Sequence, residues 1–162
     1  MAKILFNEAT KEFHLQNDRI SYIFCIMENG QLGHQYFGKH LTHRDSFQHF
    51  IQMRTQSHTA YVYENDFLFT LDTIRQEYPS YGTTDFREPA YQIKQENGSR
   101  ITEFVYKNHE IYKGKKKLKG LPATYTAAED DAVTVEILLE DELLSVQMVL
   151  SYTIYEDYAA IC

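Results

Sequence analysis

The sequence has no tryptophan, only three prolines and two cysteines, and it contains no long hydrophobic run. No apolar stretch approaches the roughly 18 residues that cross a bilayer, and the apolar start at residues 1–6 turns polar before a signal-peptide core develops. Cys25 lies in an apolar run and Cys162 is the last residue, so the cysteines predict no disulfide framework. We therefore expect a soluble chain in the cytoplasm.

Positive charge is scarce, with 16 Lys and Arg residues against 23 Asp and Glu residues and a formal net charge of −7. This balance disfavours nucleic acids and anionic membranes as partners, because long-range repulsion opposes binding to a polyanion. The length of 162 residues allows one domain with a real core. It is too short for a (β/α)₈ barrel, which needs roughly 250 residues.

Aromatic residues are abundant, with 13 Tyr and 10 Phe, and both types favour the pleated surface of β-strands. Residues 20–27 alternate between two largely apolar faces, which is typical of an inner strand. One face carries Ile20, Tyr22, Phe24 and Ile26, and the other carries Ser21, Ile23, Cys25 and Met27.

Two Asn-Gly pairs predict tight hairpin turns, because both residue types tolerate the left-handed backbone that such turns require. The first, at residues 29–30, leads into a strand at residues 32–37. The second, at residues 97–98, joins strands at residues 91–95 and 101–106. Together these turns predict a meander.

The C-terminal third predicts a further hairpin around an acidic turn at residues 141–142. Helical periodicity is weak, and only residues 45–53 predict a turn or two of helix. The sequence therefore predicts an all-β fold, an antiparallel β-sandwich with at most one or two short helical turns. The alternating apolar positions of the hairpin are Val133, Val135, Ile137 and Leu139, followed by Val146, Met148, Leu150, Tyr152 and Ile154.

Residues 75–90 combine aromatics, turn formers and charges so densely that they predict a recognition or docking loop. Pro79 fixes φ and Gly82 can supply a positive φ, so the loop carries Tyr78, Tyr81 and Phe86 on a stiff, bent backbone. Asp85 and Arg87 lie two residues apart and project from the same face of an extended segment. There a carboxylate and a guanidinium can pair with each other or bind a polyhydroxylated ligand.

Other polar clusters are better explained as surface loops or structural contacts than as metal-binding or catalytic sites. The four histidines between residues 40 and 58 match no zinc pattern, so the sequence predicts no metal and no cofactor. The basic stretch at residues 114–120 and the acidic residues 126–132 are most simply exposed loops. Glycosidases work with two carboxyl groups, and four acidic residues here lie near aromatic residues. Such carboxylates more commonly cap turns or pair with an arginine, here Arg75 or Arg87. The carboxylates concerned are Asp66, Asp72, Glu77 and Asp85.

Four stretches together resemble the start of bacterial α-galactosidases of glycoside hydrolase family 36. They are residues 6–8 with 11–17, residues 30–39 (Gly-Gln-Leu-Gly-His-Gln-Tyr-Phe-Gly-Lys), residues 75–90 and residues 120–125 (Gly-Leu-Pro-Ala-Thr-Tyr). The resemblance implies that residues 1–162 form a single, partial N-terminal β-supersandwich domain. In the family a (β/α)₈ barrel follows and carries both catalytic aspartates, in motifs of Asp-Asp-Gly-Trp and Lys-Trp-Asp-Met character. Neither motif occurs here, so we expect no catalytic residue and no activity from this chain alone.

The resemblance also implies roles for five residues. Relatives assemble as tetramers, and Tyr81, Asp85 and Arg87 match positions at the subunit interface. Asp66 and Phe69 match a family segment near the substrate pocket, although Leu68 and Thr70 depart from that segment. The loop at residues 52–58 contains no acid where some relatives place a galactose-contacting aspartate, so we expect at most weak galactoside contact.

Relatives continue after Tyr155 into another strand, whereas this sequence closes with residues 158–162. We expect an exposed sheet edge there and a homo-oligomer formed through it. The expected function is subunit assembly and support of the active-site wall. A first alternative is a free carbohydrate-binding module whose Tyr78, Tyr81 and Phe86 stack on galactosides. A second is an independent hydrolase that uses Asp66 or Asp85.

Overall fold

The protein is built from two antiparallel sheets. The structure is a computed structural model that describes residues 1–55, 58–120, 124, 126, 128 and 131–162. The first sheet has four strands in the order β1-β2-β3-β4, and the second has three in the order β5-β6-β7. The first sheet is followed by a short 3₁₀ turn, Gln48–Phe50. The predicted all-β sandwich with a short helical turn is confirmed. The strands are β1 Lys3–Asn7, β2 Glu12–Gln16, β3 Ile20–Ile26, β4 Leu32–Lys39, β5 Val105–Lys113, β6 Ala132–Asp141 and β7 Val146–Tyr155.

The predicted inner strand and its turn are confirmed. β3 pairs with β2 on one side and β4 on the other, which explains why both of its faces are apolar. Gly30 adopts φ +80° and its N–H donates to the carbonyl of Met27 at 2.9 Å, so the Asn-Gly turn closes the β3–β4 hairpin. The predicted C-terminal hairpin is confirmed as well, with β6 and β7 in register from Ala132 opposite Tyr155 to Asp141 opposite Val146.

The second Asn-Gly hairpin was predicted incorrectly. Its turn forms, because the N–H of Gly98 donates to Gln95 O at 3.0 Å and the N–H of Gln95 donates to Ser99 O at 2.9 Å. The flanking residues 91–95 nevertheless form no strand. Tyr91 instead stacks its ring on Tyr78 at 5.1 Å, and the strand after the turn starts only at Val105, where β6 supplies its partner.

The main core lies between the two sheets. Phe13 and Phe24 of the first sheet stack at 4.8 Å, and Phe24 meets Tyr152 of the second sheet at 5.0 Å. The fully buried Val135 and Ile137 complete this layer from β6. The alternation seen in the sequence therefore directs one face of each sheet inward.

A second, smaller cluster covers the opposite face of the first sheet. It contains Cys25 and Met27 from the end of β3, with Phe69, Leu71 and Ile74 from a loop that folds back over the sheet. Burial raises the pKa of the Cys25 thiol to about 12, so this cysteine remains protonated at neutral pH.

Polar side chains tie the segment after β4 to the same face. The Glu12 carboxylate accepts from the backbone N–H of Phe47 at 2.9 and 3.0 Å and from Gln35 Nε2 at 2.7 Å. Ser21 Oγ accepts from the N–H of Leu41 at 2.9 Å, and His14 Nε2 lies 2.9 Å from the same oxygen. These buried groups hold residues 41–47 against the sheet.

His14 makes the fold sensitive to acid. Burial, reinforced by the charges of His43, His40 and Lys3, lowers its pKa from 6.5 to about 4. The unfolded chain therefore binds a proton that the folded chain excludes, so stability is complete above about pH 6.5 and is lost as the pH falls toward 4. The shift corresponds to at most about 3 kcal/mol of unfolding free energy. Urea titrations at several pH values should show that the free energy of unfolding falls more steeply between pH 6.5 and 4 in the native protein than in His14→Gln. An equal dependence on pH in the two proteins would contradict this prediction.

The free edges of the sheets are partly covered. Residues 75–77 pair with the outer edge of β4. On β7, Thr153 exchanges backbone hydrogen bonds with Cys162 at 2.8 and 3.0 Å. The described part of the chain contains no helix with the length and apolarity to cross a bilayer. The predictions for residues 120–125 and 126–132, and part of the loop at residues 52–58, fall largely outside the described residues.

Candidate functional site

The predicted docking loop begins as a short addition to the first sheet. The N–H of His34 donates to Arg75 O at 2.7 Å, and the N–H of Glu77 donates to Leu32 O at 3.0 Å. Successive side chains of an extended segment point to opposite sides. Gln76 consequently reaches Asp85 of the loop, whereas Glu77 points to the sandwich.

Glu77 anchors the loop. Its buried carboxylate accepts from Tyr22 Oη at 2.5 Å and from His34 Nδ1 at 2.8 Å. Because a carboxylate only accepts, these contacts place a proton on Nδ1 of His34. Burial, together with the negative charge of Glu77, raises the pKa of Tyr22 and keeps its phenol protonated.

The tip of the loop is a tight turn from Gly82 to Asp85, closed by N–H···O bonds of 2.7 and 3.0 Å in the two directions. Gly82 has φ +105°, as predicted, but Thr83 at +48° and Thr84 at +77° also adopt positive φ. Positive φ is rare for β-branched residues and costs conformational energy. The surrounding contacts therefore have to hold this turn in place.

Asp85 and Arg87 supply that support, and the predicted pairing between them is confirmed. Arg87 Nε donates to Asp85 Oδ1 at 2.8 Å, and Nη2 donates to Oδ2 at 2.7 Å. Nη2 also donates to Ile74 O at 2.9 Å, so Arg87 links the turn to the preceding strand segment. Burial alone would raise the pKa of Asp85, but its hydrogen bonds and the charge of Arg87 hold that pKa below its usual value.

The loop presents two aromatic rings outward. Tyr81 and Phe86 meet edge to face at 5.7 Å, and they remain 42% and 62% exposed. We call these two residues the aromatic pair. Tyr78 is also 42% exposed, but one face of its ring lies against Tyr91 with an interplanar angle of 8°.

Asp66 and Phe69 belong to a different loop. Asp66 Oδ1 accepts from the N–H groups of Leu68 at 2.9 Å and Phe69 at 3.1 Å, which makes it a turn cap. Phe69 is buried in the smaller cluster. The cap leaves Phe67 and Leu68 exposed at the loop tip.

Three of the acidic residues considered for hydrolysis make structural contacts. Asp66 caps a turn, Asp85 pairs with Arg87 and Glu77 is bonded to Tyr22 and His34, so each of these carboxylates already has partners. Across the residues that the structure describes, His, Cys, Asp and Glu side chains form no group of three or more that could hold a metal ion.

Sequence reasoning did not assign Gln76 and Glu77 as the anchors of the loop. The alternation of side chains along an extended segment places them on opposite sides. Their partners Asp85, Tyr22 and His34, however, come from separate parts of the chain. Glu77 was considered only as one of several acids.

The fold and this site define an all-β domain whose loops present aromatic side chains and whose Asp66, Glu77 and Asp85 make structural contacts. Residues 30–162 match the family model described as the glycosyl hydrolase family 36 N-terminal domain. The chain belongs to this family, and the resemblance stated from its motifs is confirmed.

The proteins to which this chain is similar include bacterial α-galactosidases. The chain is 43% identical to Alpha-galactosidase AgaA of Geobacillus stearothermophilus over 158 residues, covering 98% of the chain and 22% of that protein. The solved α-galactosidase AgaB of the same organism superposes with a TM-score of 0.87 at 43% identity, over 98% of this chain and 21% of that one. The solved α-galactosidase from Lactobacillus brevis superposes with a TM-score of 0.88 at 38% identity. That match covers 93% of this chain and 20% of the Lactobacillus brevis chain. The chain thus spans about a fifth of the length of these relatives.

Proposed function

We propose that the chain is the non-catalytic N-terminal domain of an α-galactosidase, and that it supports subunit assembly and the active-site wall of an enzyme that hydrolyses terminal α-galactosides. The family membership and the identity to α-galactosidases support this proposal. In it, residues 1–162 form one partial domain of a cytoplasmic enzyme, and the catalytic barrel lies elsewhere in the full-length protein.

The observation that carries the proposal is the rigid presentation of the aromatic pair. Exposed aromatic rings are a common anchor of protein interfaces, since they bury a large area at a small cost in side-chain entropy. Asp85 and Arg87 hold Tyr81 and Phe86 on a turn of fixed conformation. A pre-organised surface of this kind suits contact with a neighbouring subunit.

A chimaera tests this proposal, with this chain replacing the matching region of Geobacillus stearothermophilus AgaA. We expect the chimaera to release nitrophenol from a nitrophenyl α-galactoside, whereas the isolated chain releases none. Changing both Tyr81 and Phe86 to serine should weaken subunit assembly in sedimentation. The control is Tyr158→Ser, which alters an exposed tyrosine outside the loop. Unchanged assembly in the double variant, or turnover by the isolated chain, would argue against the proposal.

The carbohydrate-binding alternative predicts a different result. Titration with melibiose or raffinose should then change the tyrosine fluorescence with saturable micromolar binding, which Phe86→Ser would abolish. We expect no such saturation, because the ring of Tyr78 is already stacked on Tyr91 and Tyr81 is engaged with Phe86.

A second copy of the chain is a further proposed partner, through the edge of β7. On β7, Val146 is 38% exposed and Val149 is 58% exposed. An edge with exposed apolar side chains favours strand pairing between molecules. Sedimentation at micromolar concentration is expected to show a dimer, which Val149→Lys should dissociate. A strictly monomeric native protein would contradict this expectation.

A further inference from the structure

A small cavity of about 170 Å³ lies on the outer face of the first sheet, beside the start of the docking loop. Three sulfur-bearing side chains line it: Cys25 and Met27 from the end of β3, and Met53 from the loop that covers the sheet. Among the described residues, the remaining walls combine apolar side chains with a carboxylate and an amide; they are Ile26, Glu28, Gln48, Ile51, Phe69 and Ile74.

The sequence places the first two sulfurs together. Cys25 and Met27 lie two residues apart, so both side chains leave the same face of the chain. Opposite Cys25 in the β3–β4 register stands Gly33. A Cβ at that position would lie 2.8 Å from Met27 Sδ and 3.6 Å from Cys25 Sγ, so both sulfurs pass over the space that a larger residue would fill.

Met53 supplies the third sulfur and the means of access. Met53 is 44% exposed, whereas Cys25 is buried. Methionine has a flexible, unbranched side chain that can move aside and close again over a bound group. A flexible, exposed thioether beside a buried thiol therefore allows a small ion to enter the cavity.

We propose that Cys25, Met27 and Met53 form a binding site for a soft, monovalent metal ion of the copper(I) type. One thiolate and two thioethers are soft donors that favour such ions over calcium or magnesium. Two thioethers and one thiolate form a softer donor set than the imidazole, carboxylate and thiolate ligands typical of zinc, so a monovalent soft ion is favoured. On binding, the S–H bond breaks, the proton leaves to solvent and a sulfur–metal bond forms, with no electron transferred.

This site departs from the prediction of no metal made from the sequence, which considered the spacing of histidines and not the sulfur donors. Cys162 is the second thiol and lies exposed on the surface, so the test uses a Cys162→Ser background. Silver(I) serves as a redox-inert probe, and copper(I) is added without oxygen against a coloured copper(I) chelator. We expect one ion per chain.

The matched variants are Met27→Leu and Met53→Leu, which keep the volume but remove a donor sulfur. Each is expected to weaken binding by about tenfold or more. Met148→Leu alters a methionine of the main core and should leave binding unchanged. Bound silver(I) should also raise the melting temperature of the parent protein by mass action, but not that of the double leucine variant.

Three outcomes would overturn the proposal. Full affinity in both leucine variants would show that the thioethers do not bind the ion. Retained binding of one ion by Cys25→Ser in the same background would show that the thiol does not. Zinc(II) binding of comparable strength would contradict a site built for a monovalent ion. The leucine variants keep the test valid even where Cys25→Ser fails to fold.

Discussion

Replacement of Phe24 by alanine is expected to lower the free energy of unfolding by about 4 kcal/mol, the typical cost of removing a large aromatic ring from a core. Phe24 is fully buried and joins the two sheets, because its ring lies 4.8 Å from Phe13 and 5.0 Å from Tyr152. The substitution removes both contacts and leaves a cavity that the flanking strands cannot close. Urea denaturation followed by far-ultraviolet circular dichroism measures the change.

The control for this prediction is Phe37→Ala, also in the first sheet. Phe37 is more than half exposed, so its replacement should cost no more than about 1 kcal/mol. Equal losses in the two variants would mean that the interface between the sheets does not dominate the stability of the domain.

Replacement of Asp85 by alanine is expected to destabilise the protein by about 3 kcal/mol and to loosen the docking loop. Four donors lose an acceptor: Gln76 Nε2 and the N, Nε and Nη2 atoms of Arg87, of which Nη2 keeps its bond to Ile74 O. Breaking a buried ion pair by removing one partner typically costs 3–5 kcal/mol, and we take about 3 because Arg87 is partly exposed. The strained turn at Thr83 and Thr84 then loses the contacts that hold it.

Two measurements test the Asp85 prediction. Urea denaturation gives the loss of stability, and hydrogen exchange of the peptide containing residues 78–90 should rise locally. Glu88→Ala provides the control, because Glu88 is an exposed carboxylate in the same loop and should change stability by less than about 0.5 kcal/mol. A loop that exchanges no faster in Asp85→Ala would exclude this role for the ion pair.

Much of the fold was predictable where alternation and turn chemistry agreed. The apolar alternation of β3 and of the β6–β7 hairpin reports burial directly, and the Asn-Gly turn fixes the register of β3 with β4. β2 was not assigned, although Phe13 and Leu15 alternate with Glu12 and His14. Those polar residues are buried by a segment whose position no local pattern reveals.

The candidate site was predictable in part. The Asp85–Arg87 pair followed from spacing and the positive φ of Gly82 from residue type, because both depend on neighbours in sequence. The anchoring of the loop did not follow, since Glu77 meets Tyr22 and His34, which are 55 and 43 residues away. Contacts of that range depend on how the sheets meet. The roles of Asp66, Phe69, Tyr81, Asp85 and Arg87 at a substrate pocket or interface stay predictions.

Each sheet is a meander that closes within its own stretch of chain, β1–β4 before residue 40 and β5–β7 after residue 104. A ribosome therefore releases every strand of the first sheet well before β6 emerges to cover it. Domains and their parts tend to form in the order of synthesis. During that interval the inward rings of Phe13 and Phe24 face water, so the first sheet exposes apolar surface until the second sheet forms.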